Sequence, residues 1–275
     1  MDLYFAPGGG AGHLTRAIAF LHTIQLNSIN VKIVCSVKIK IDLPGYTILN
    51  IPEKYTTTVE AFKSFIRELI SSDKPETIYI DTFYNGILGE WNRKDYPNIR
   101  FVLIARNLDF TLYSSRFTKQ CADYSICYVV DNLSELYAQF LKDSIKNIKR
   151  LILQYPVFEP DVKALAWLNS VKAPVWAIIH SQPVDEVLAL YDHACDMSVY
   201  ELDPPQICVF TFEQLSVNHP VFTIYPVWPL LPYFSRVFMA CGFNSLNQTA
   251  KYKDKCVIIP FKRTYDNQFY RFKNY

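Results

Sequence analysis

The 275-residue chain reads as an α/β protein with two parallel-sheet domains. Three observations predict this. Short apolar runs alternate with segments whose apolar residues recur every three to four positions, the pattern of successive strand–helix units. That pattern breaks in the stretch Tyr155–Pro174, which carries Pro156, Pro160 and Pro174, and then starts again. Glycine is scarce, 8 in all, yet four of these fall in the window 8–12 directly behind the first apolar run. A chain this poor in glycine places it where backbone must come close to something or turn sharply. At roughly 100–200 residues per domain the length fits two domains, expected here as residues 1–160 and 161–275.

The elements follow in order. Leu3–Ala6 is a buried strand that runs into Pro7 and the glycines. Leu14, Ala17, Ile18, Leu21 and Ile24 then recur at helical spacing. Lys32–Val37 is a second strand, and Tyr46–Ile51 a third after the turn Pro44-Gly45. Val59–Ile70 is a helix with Val59, Phe62, Phe65, Ile66, Leu69 and Ile70 on one face. Thr77–Ile80 is a strand ending at Asp81, Phe101–Ala105 one ending at Arg106-Asn107, and Ser125–Val130 another. Beyond the proline-rich stretch, Val175–Ile179 is a strand and Val184–Tyr191 a helix. Gln206–Phe212 and Val221–Pro226 are strands, and Leu230–Ser235 is a short helix. Val237–Ala240 is a strand, Gly242–Tyr252 opens a helix, and Cys256–Pro260 is the last strand. No internal repeat or low-complexity tract interrupts the order.

Composition excludes several classes. Half the residues are hydrophobic and a fifth charged, which is ordinary for a globular chain. The 28 basic and 26 acidic side chains nearly cancel, so no field argues for nucleic acid as a partner. No apolar run reaches the roughly 18–20 residues of a membrane span. The most apolar stretch, Val221–Phe234, contains Pro226, Pro229 and Pro232. The N-terminus has no basic segment ahead of an apolar one and no signal-type cleavage site. The seven cysteines form no Cys-x-x-Cys pair and no zinc-ligand spacing, and read as reduced thiols of a cytoplasmic protein. Charge is uneven in the second half. Residues 161–220 hold eight acidic side chains against two lysines, and 251–275 hold seven basic against two acidic. The basic end reads as a solvated surface, as the lining of a phosphate-binding cleft, or as peripheral contact with the inner face of a membrane.

Four motifs carry candidate chemistry. Pro7-Gly8-Gly9-Gly10-Ala11-Gly12-His13 lies at the carboxyl end of the first strand, where open parallel sheets bind ligands and a helix start favours an anion. Its spacing fits neither the dinucleotide fingerprint nor a Walker A loop. His13, in the first helical turn, is held neutral by the helix start and suits a general base, or else braces the loop. Asp81, at the end of another strand, points to the same crevice. It could orient His13, accept the proton itself, or form an Asx-turn. Cys241-Gly242-Phe243-Asn244-Ser245-Leu246-Asn247-Gln248 repeats the strand–glycine–helix order, with Gly242 giving a diphosphate room and Asn244 and Ser245 offering donors. Gln248 follows one turn on. Asp266-Asn267-Gln268 comes after the last strand and could bind sugar hydroxyls.

In this order and spacing the chain resembles the GT-B glycosyltransferases. It is most similar to the bacterial N-acetylglucosaminyltransferases acting on the lipid-linked cell-wall precursor and to related transferases. The likeness rests on Gly9–Ala17, on Asp81-Thr82-Phe83 with Gly86 and Gly89-Glu90, on Gly242–Gln248, and on Asp266-Asn267-Gln268. It implies two Rossmann-like domains facing across a cleft, with the acceptor on the first and the nucleotide sugar mostly on the second. It implies an inverting, metal-independent transfer with no cofactor beyond the nucleotide-diphosphate sugar. His13 would be the base or an oxyanion helper, with Asp81 beside it, and Gly9, Gly10 and Gly12 of the first loop would contribute to nucleotide-sugar binding. Gly242, Asn244 and Ser245 would hold the diphosphate, Gln248 the ribose, Asp266 with Gln268 the donor sugar, and the backbone near Tyr225-Pro226-Val227 the base. The acceptor would be a glycan, lipid-linked or small-molecule hydroxyl. Three positions depart from the family. Gln248 stands where Glu is frequent, His180-Ser181-Gln182 replace glycines after the strand Val175–Ile179, and the chain is short for the fold. A nucleotide-sugar hydrolase and a non-catalytic sugar- or protein-binding module are the alternative readings.

Overall fold

The computed structural model describes all residues except Gly9, Lys38, 118–122 and Tyr275, and for Arg93 the backbone only. It divides into two units. The first comprises Met1–Tyr155 together with Thr264–Asn267, the second Pro156–Arg263 together with the residues from Gln268 on.

The first unit runs β1 (Asp2–Ala6), α1 (Gly12–Thr23), β2 (Val31–Cys35), β3 (Thr47–Asn50), α2 (Val59–Asp73), β4 (Thr77–Asp81), β5 (Arg100–Ala105), α3 (Phe110–Arg116), β6 (Ile126–Val129), α4 (Glu135–Ser144) and β7 (Ile148–Arg150). Its seven strands are parallel in the order β3-β2-β1-β4-β5-β6-β7. The central strands β1, β4 and β5 are buried almost end to end, as expected of a parallel sheet covered on both faces. This is why Leu-Tyr-Phe-Ala and Ile-Tyr-Ile read as continuous apolar runs rather than as alternating ones. Helix α2 buries Phe62, Phe65, Ile66 and Leu69 at helical spacing, and Thr58 caps it by accepting from the Ala61 N–H at 3.1 Å. Helix α1 buries every residue from Leu14 to Leu21, Arg16 among them.

The second unit runs α5 (Val162–Ser170), β8 (Val175–Ile179), α6 (Val184–Ser198), β9 (Gln206–Phe210), β10 (Val221–Phe222), β11 (Arg236–Ala240), α7 (Phe243–Thr249), β12 (Cys256–Ile259) and α8 (Gln268–Lys273). Its five parallel strands are ordered β10-β9-β8-β11-β12. Side chains alternate between two cores. Val175, Ala177, Cys208, Phe210, Val237 and Met239 meet α5 through Ala164 and Leu168. Trp176, Ile178, Ile207, Val209 and Phe238 meet α6 through Val187, Leu190 and Ala194. A one-residue slip of any strand would exchange these sets.

The predicted α/β class with two Rossmann-like parallel sheets is the observed architecture. Several elements differ in extent. The strand expected over 221–226 pairs only at Val221–Phe222. The helix expected from Gly242 is α7 followed by 3₁₀ turns over Ala250–Lys255. Helix α5 lies inside the proline-rich stretch, started by Asp161, whose side chain accepts from the Ala164 N–H at 2.9 Å. Among the described residues no disulfide forms.

Candidate active site

Each sheet has a switch point. Strand β1 leads through α1 to β2 on one side, while β4, on its other side, leads away to β5. Strands β8 and β11 stand in the same relation, with β9 on one flank and β12 on the other. In open α/β sheets the crevice outside the carboxyl ends of the strands at such a point binds ligands.

At the first switch point, Gly8 and Gly10 adopt φ of 151° and 75°, open to glycine at little cost. A Cβ on Gly8 would stand 2.4 Å from His13 Cδ2 and 2.6 Å from Nε2, so the imidazole folds back over bare backbone. Ser36 pins the loop, accepting from the Gly8 N–H at 2.9 Å and donating to the Gly8 carbonyl at 3.1 Å. Gly12 opens α1, and Gly9 lies outside the described residues.

His13 and Asp81 meet. His13 Nδ1 lies 2.5 Å from Asp81 Oδ2. Arg16, one turn along α1, forks onto the same carboxylate, Nε to Oδ1 at 2.7 Å and Nη2 to Oδ2 at 2.5 Å. Its Nη2 also donates to Thr82 Oγ1 at 2.9 Å and stands 3.1 Å from His13 Nδ1. Tyr4 donates its hydroxyl to Asp81 Oδ1 at 3.2 Å. A nitrogen so close to a carboxylate oxygen must carry the proton, so Nδ1–H donates to Asp81 and Nε2 is left as an acceptor. The Arg16–His13 approach is then a contact between two donors.

The electrostatics follow. Burial works to raise the Asp81 pKa, but Arg16 and then His13 outweigh it and hold the carboxyl well below the usual range. Burial lowers the His13 pKa. Asp81 opposes this by charge and hydrogen bond, Arg16 and Arg106 reinforce it, and the net shift is downward. Asp81 therefore orients the imidazole and is a poor proton acceptor, with Tyr4, Arg16 and His13 all on its two oxygens.

The residues after β4 are held with strain. Thr82 has φ of 67°, costly for a β-branched residue, and Phe83 N–H bonds back to the Asp81 carbonyl at 2.8 Å in a γ-turn. This turn brings the Phe83 ring over His13, with centroids 5.9 Å apart and planes 24° from parallel. Further on, Gly86 has φ of 88° and faces the Glu90 carboxylate, which a Cβ would strike at 2.1 Å. Glu90 accepts from the N–H groups of Ile87 at 3.3 Å and Leu88 at 2.8 Å, and burial pushes its pKa up to about 7.

Arg106 follows β5 and donates through Nη1 to Asp266 Oδ1 at 2.8 Å. Asp266 is thus counted with the first unit, while Gln268, 3% exposed, belongs to the second and accepts from the Phe261 N–H at 3.0 Å.

At the second switch point, Gly242 caps α7 with an ordinary φ of −77°; a Cβ would meet Ser245 Oγ at 3.4 Å. Neither its conformation nor its protein neighbours require glycine there. Asn244 is buried, and Gln248 buries its Nε2 with no hydrogen-bond partner among the described residues. After β8, Gln182 Oε1 is likewise buried without a partner. His180 Nε2 lies 2.8 Å from Glu186 Oε2, and Arg263 forks onto the same carboxylate. Burial works to raise the Glu186 pKa, and the hydrogen bonds from Arg263 and His180 bring it below its ordinary value. Sequence reasoning named His180 only as a departure, and missed Arg16 as a partner of Asp81. The available signal for Arg16 was a cation in the middle of a helix with an apolar face on both sides. Among the described residues no three His, Cys, Asp or Glu side chains group as a metal site, and no helix is long and apolar enough to cross a membrane.

No described protein family and no curated relative matches the sequence. Solved structures match over nearly the whole chain at low identity. The spinosyn rhamnosyltransferase SpnG complexed with thymidine diphosphate is 10% identical at a TM-score of 0.55, covering 95% of this chain and 81% of that one. The Phytolacca americana UGT2 complexed with UDP-2fluoro-glucose and pterostilbene is 11% identical at 0.54, covering 98% and 81%. The UDP-GlcNAc 2-epimerase from Methanocaldococcus jannaschii is 12% identical at 0.52, covering 99% and 91%. The chain has the GT-B fold type shared by these structures.

Proposed function

We propose that the protein is a glycosyltransferase that moves a sugar from a nucleotide-diphosphate sugar to an acceptor hydroxyl, with inversion and without a metal. The observation that carries this reading is the pair of His13, in the first turn of α1, and Asp81, at the end of β4, at the first switch point, with Nδ1 engaged and Nε2 left as the basic atom. In this reading Nε2 takes the acceptor proton while the acceptor oxygen bonds to the anomeric carbon. The bond from that carbon to the diphosphate breaks, and the diphosphate leaves with the electron pair. A base in place contributes about 100- to 10,000-fold. Gly242, Asn244, Ser245 and Gln248 belong to the nucleotide-sugar part. The unmet Gln182 Oε1 and Gln248 Nε2 support a polar ligand there. The donor-sugar roles of Asp266 and Gln268 rest on the resemblance alone. The acceptor is a glycan, lipid-linked or small-molecule hydroxyl, and the similarity to a thymidine diphosphate complex and to a UDP-sugar complex makes UDP- and TDP-sugars the first donors to test.

The test is incubation with such donors, with and without a panel of acceptors, read by mass spectrometry. Sugar transfer that survives EDTA and falls steeply in His13→Ala, with donor affinity retained, is the expected result. Donor that is stable under every condition overturns the reading. The match to a UDP-GlcNAc 2-epimerase favours a second reading, chemistry on the nucleotide sugar itself. Isomerised or hydrolysed donor in the absence of any acceptor would establish it instead.

A further inference from the structure

Arg16 is the largest polar side chain fully enclosed in the first unit, 2% exposed in the middle of α1. Burying a guanidinium is expensive unless it is paired and hydrogen-bonded. Its fork on Asp81 and its bond to Thr82 Oγ1 meet that requirement. They also change what Asp81 does. In a Ser-His-Asp arrangement the carboxylate orients the histidine and stabilises the imidazolium that forms. Here the carboxylate already has a permanent cation in bidentate contact, and that cation stands 3.1 Å from His13 Nδ1. Protonating Nε2 would place a second positive charge against the first, in a site closed to water on the Asp81 side.

We propose that Arg16 is a positioning residue that takes up the charge of Asp81, so that Asp81 orients the His13 imidazole without strengthening it as a base. The inference deepens the transferase reading and rests on it for its kinetic consequence. All groups around His13 act in one sense or the other. Burial opposes the imidazolium most; Asp81, from β4, favours it, and Arg16 from α1 and Arg106 after β5 add to the opposition. Tyr4 from β1 is a neutral donor to Asp81, its own pKa pushed far up by burial and then by that carboxylate. Tyr155 faces Arg16. Burial first, with the two arginines added to it, outweighs Asp81, and the His13 pKa lies below its ordinary value.

The consequence is a base that keeps its lone pair in mildly acidic solution and accepts a proton only as the acceptor oxygen commits to the anomeric carbon. The acid limb of the pH–rate profile should then fall below the ordinary histidine value of about 6.5.

The test is an NMR titration of the His13 imidazole, assigned by its loss in His13→Asn, in the wild type, Arg16→Met and Arg16→Lys. The wild-type midpoint should lie below about 6.5. In Arg16→Met it should rise above that value, by about 1 unit or more, because Asp81 then has only the imidazolium as counter-ion. In Arg16→Lys, which keeps the charge, it should stay low. A wild-type midpoint above the ordinary value, or an unchanged midpoint in folded Arg16→Met, overturns the proposal. Should Arg16→Met fail to fold, the wild-type and Arg16→Lys midpoints decide, and either one above the ordinary value overturns it. The titration needs no activity. Absence of sugar transfer with the expected midpoints would refute the transferase reading alone, and sugar transfer with an unshifted His13 would refute only the role of Arg16.

Discussion

The two switch points are built on the same strand order and differ in how their polar groups are satisfied. At the first, Asp81 itself is fully held by Arg16, Tyr4 and His13, although Nε of nearby Arg106 is buried without a hydrogen-bond partner among the described residues. At the second, Gln182 and Gln248 each bury an amide atom that no group among the described residues meets. An unmet buried polar atom costs about 1–3 kcal/mol, whereas a fully met ionic cluster rigidifies its surroundings. The difference separates two kinds of site. On the proposed function, the first is assembled in advance around the base, and the second keeps donors and acceptors for the nucleotide sugar.

That contrast can be broken at several places. The largest effect is expected from His13→Ala, which should lower kcat by about 100- to 10,000-fold while donor affinity stays within a few-fold of wild type. Steady-state kinetics beside calorimetry with nucleotide diphosphates measures both, and an equal loss in each would make the first switch point a binding site like the second. Next comes Arg16→Met. It leaves Asp81 buried and short of its main counter-ion, and should cost about 3–5 kcal/mol in denaturant unfolding. A loss near zero would mean that the network is ornamental.

Glu90→Gln sharpens the comparison further. Burial raises the folded-state pKa of Glu90 from 4.5 to about 7, so the folded protein holds this proton longer than the unfolded chain does. Its contribution is fully present below 4.5 and is lost as pH rises to about 7. Between those limits the wild type should lose stability on the order of 3 kcal/mol from this group, and Glu90→Gln should remove that slope. Thermal melts at pH 5 and 8 read it, and parallel curves for the two proteins would contradict it. The smallest effects belong to the second switch point. Gln182→Ala and Gln248→Ala should each weaken nucleotide-diphosphate binding by about 1 kcal/mol, near fivefold, with stability unchanged or slightly raised. Destabilisation beyond that in the unliganded protein would show that the two amides are structural.

Much of this was legible from local order. The strand–glycine–helix opening, the acid at the end of β4 and the repeat of that logic at Gly242 all arise within a few residues, where turn chemistry and helical spacing act directly. Helices α3, α4 and α5 escaped notice for specific reasons. Helix α3 is seven residues long, α4 buries only Tyr137 and Leu141, and α5 sits between prolines whose breaking effect ends before Asp161 caps it. Strand β7, Ile148–Arg150, carries two exposed basic residues on the edge of its sheet and has no apolar pattern to betray it. The motif Asp266-Asn267-Gln268 offers amides and a carboxylate suited to sugar hydroxyls, but its sequence does not show that Asp266 bonds to Arg106 and Gln268 to the Phe261 backbone.

Sequence alone was enough to establish that the chain alternates strands and helices twice over, and that His13, Asp81 and Gly242 stand at strand ends, because these features depend on neighbours along the chain. Only tertiary structure could decide which of them meet. Asp81 reaches His13 and Arg16 across 65 and more positions of sequence because β1 and β4 lie side by side in the sheet. A charge is tolerated inside a helix, or an imidazole kept neutral, only by the particular groups that folding brings within a few ångströms. Coulombic and hydrogen-bond terms fall off over that distance in space and take no account of separation along the chain.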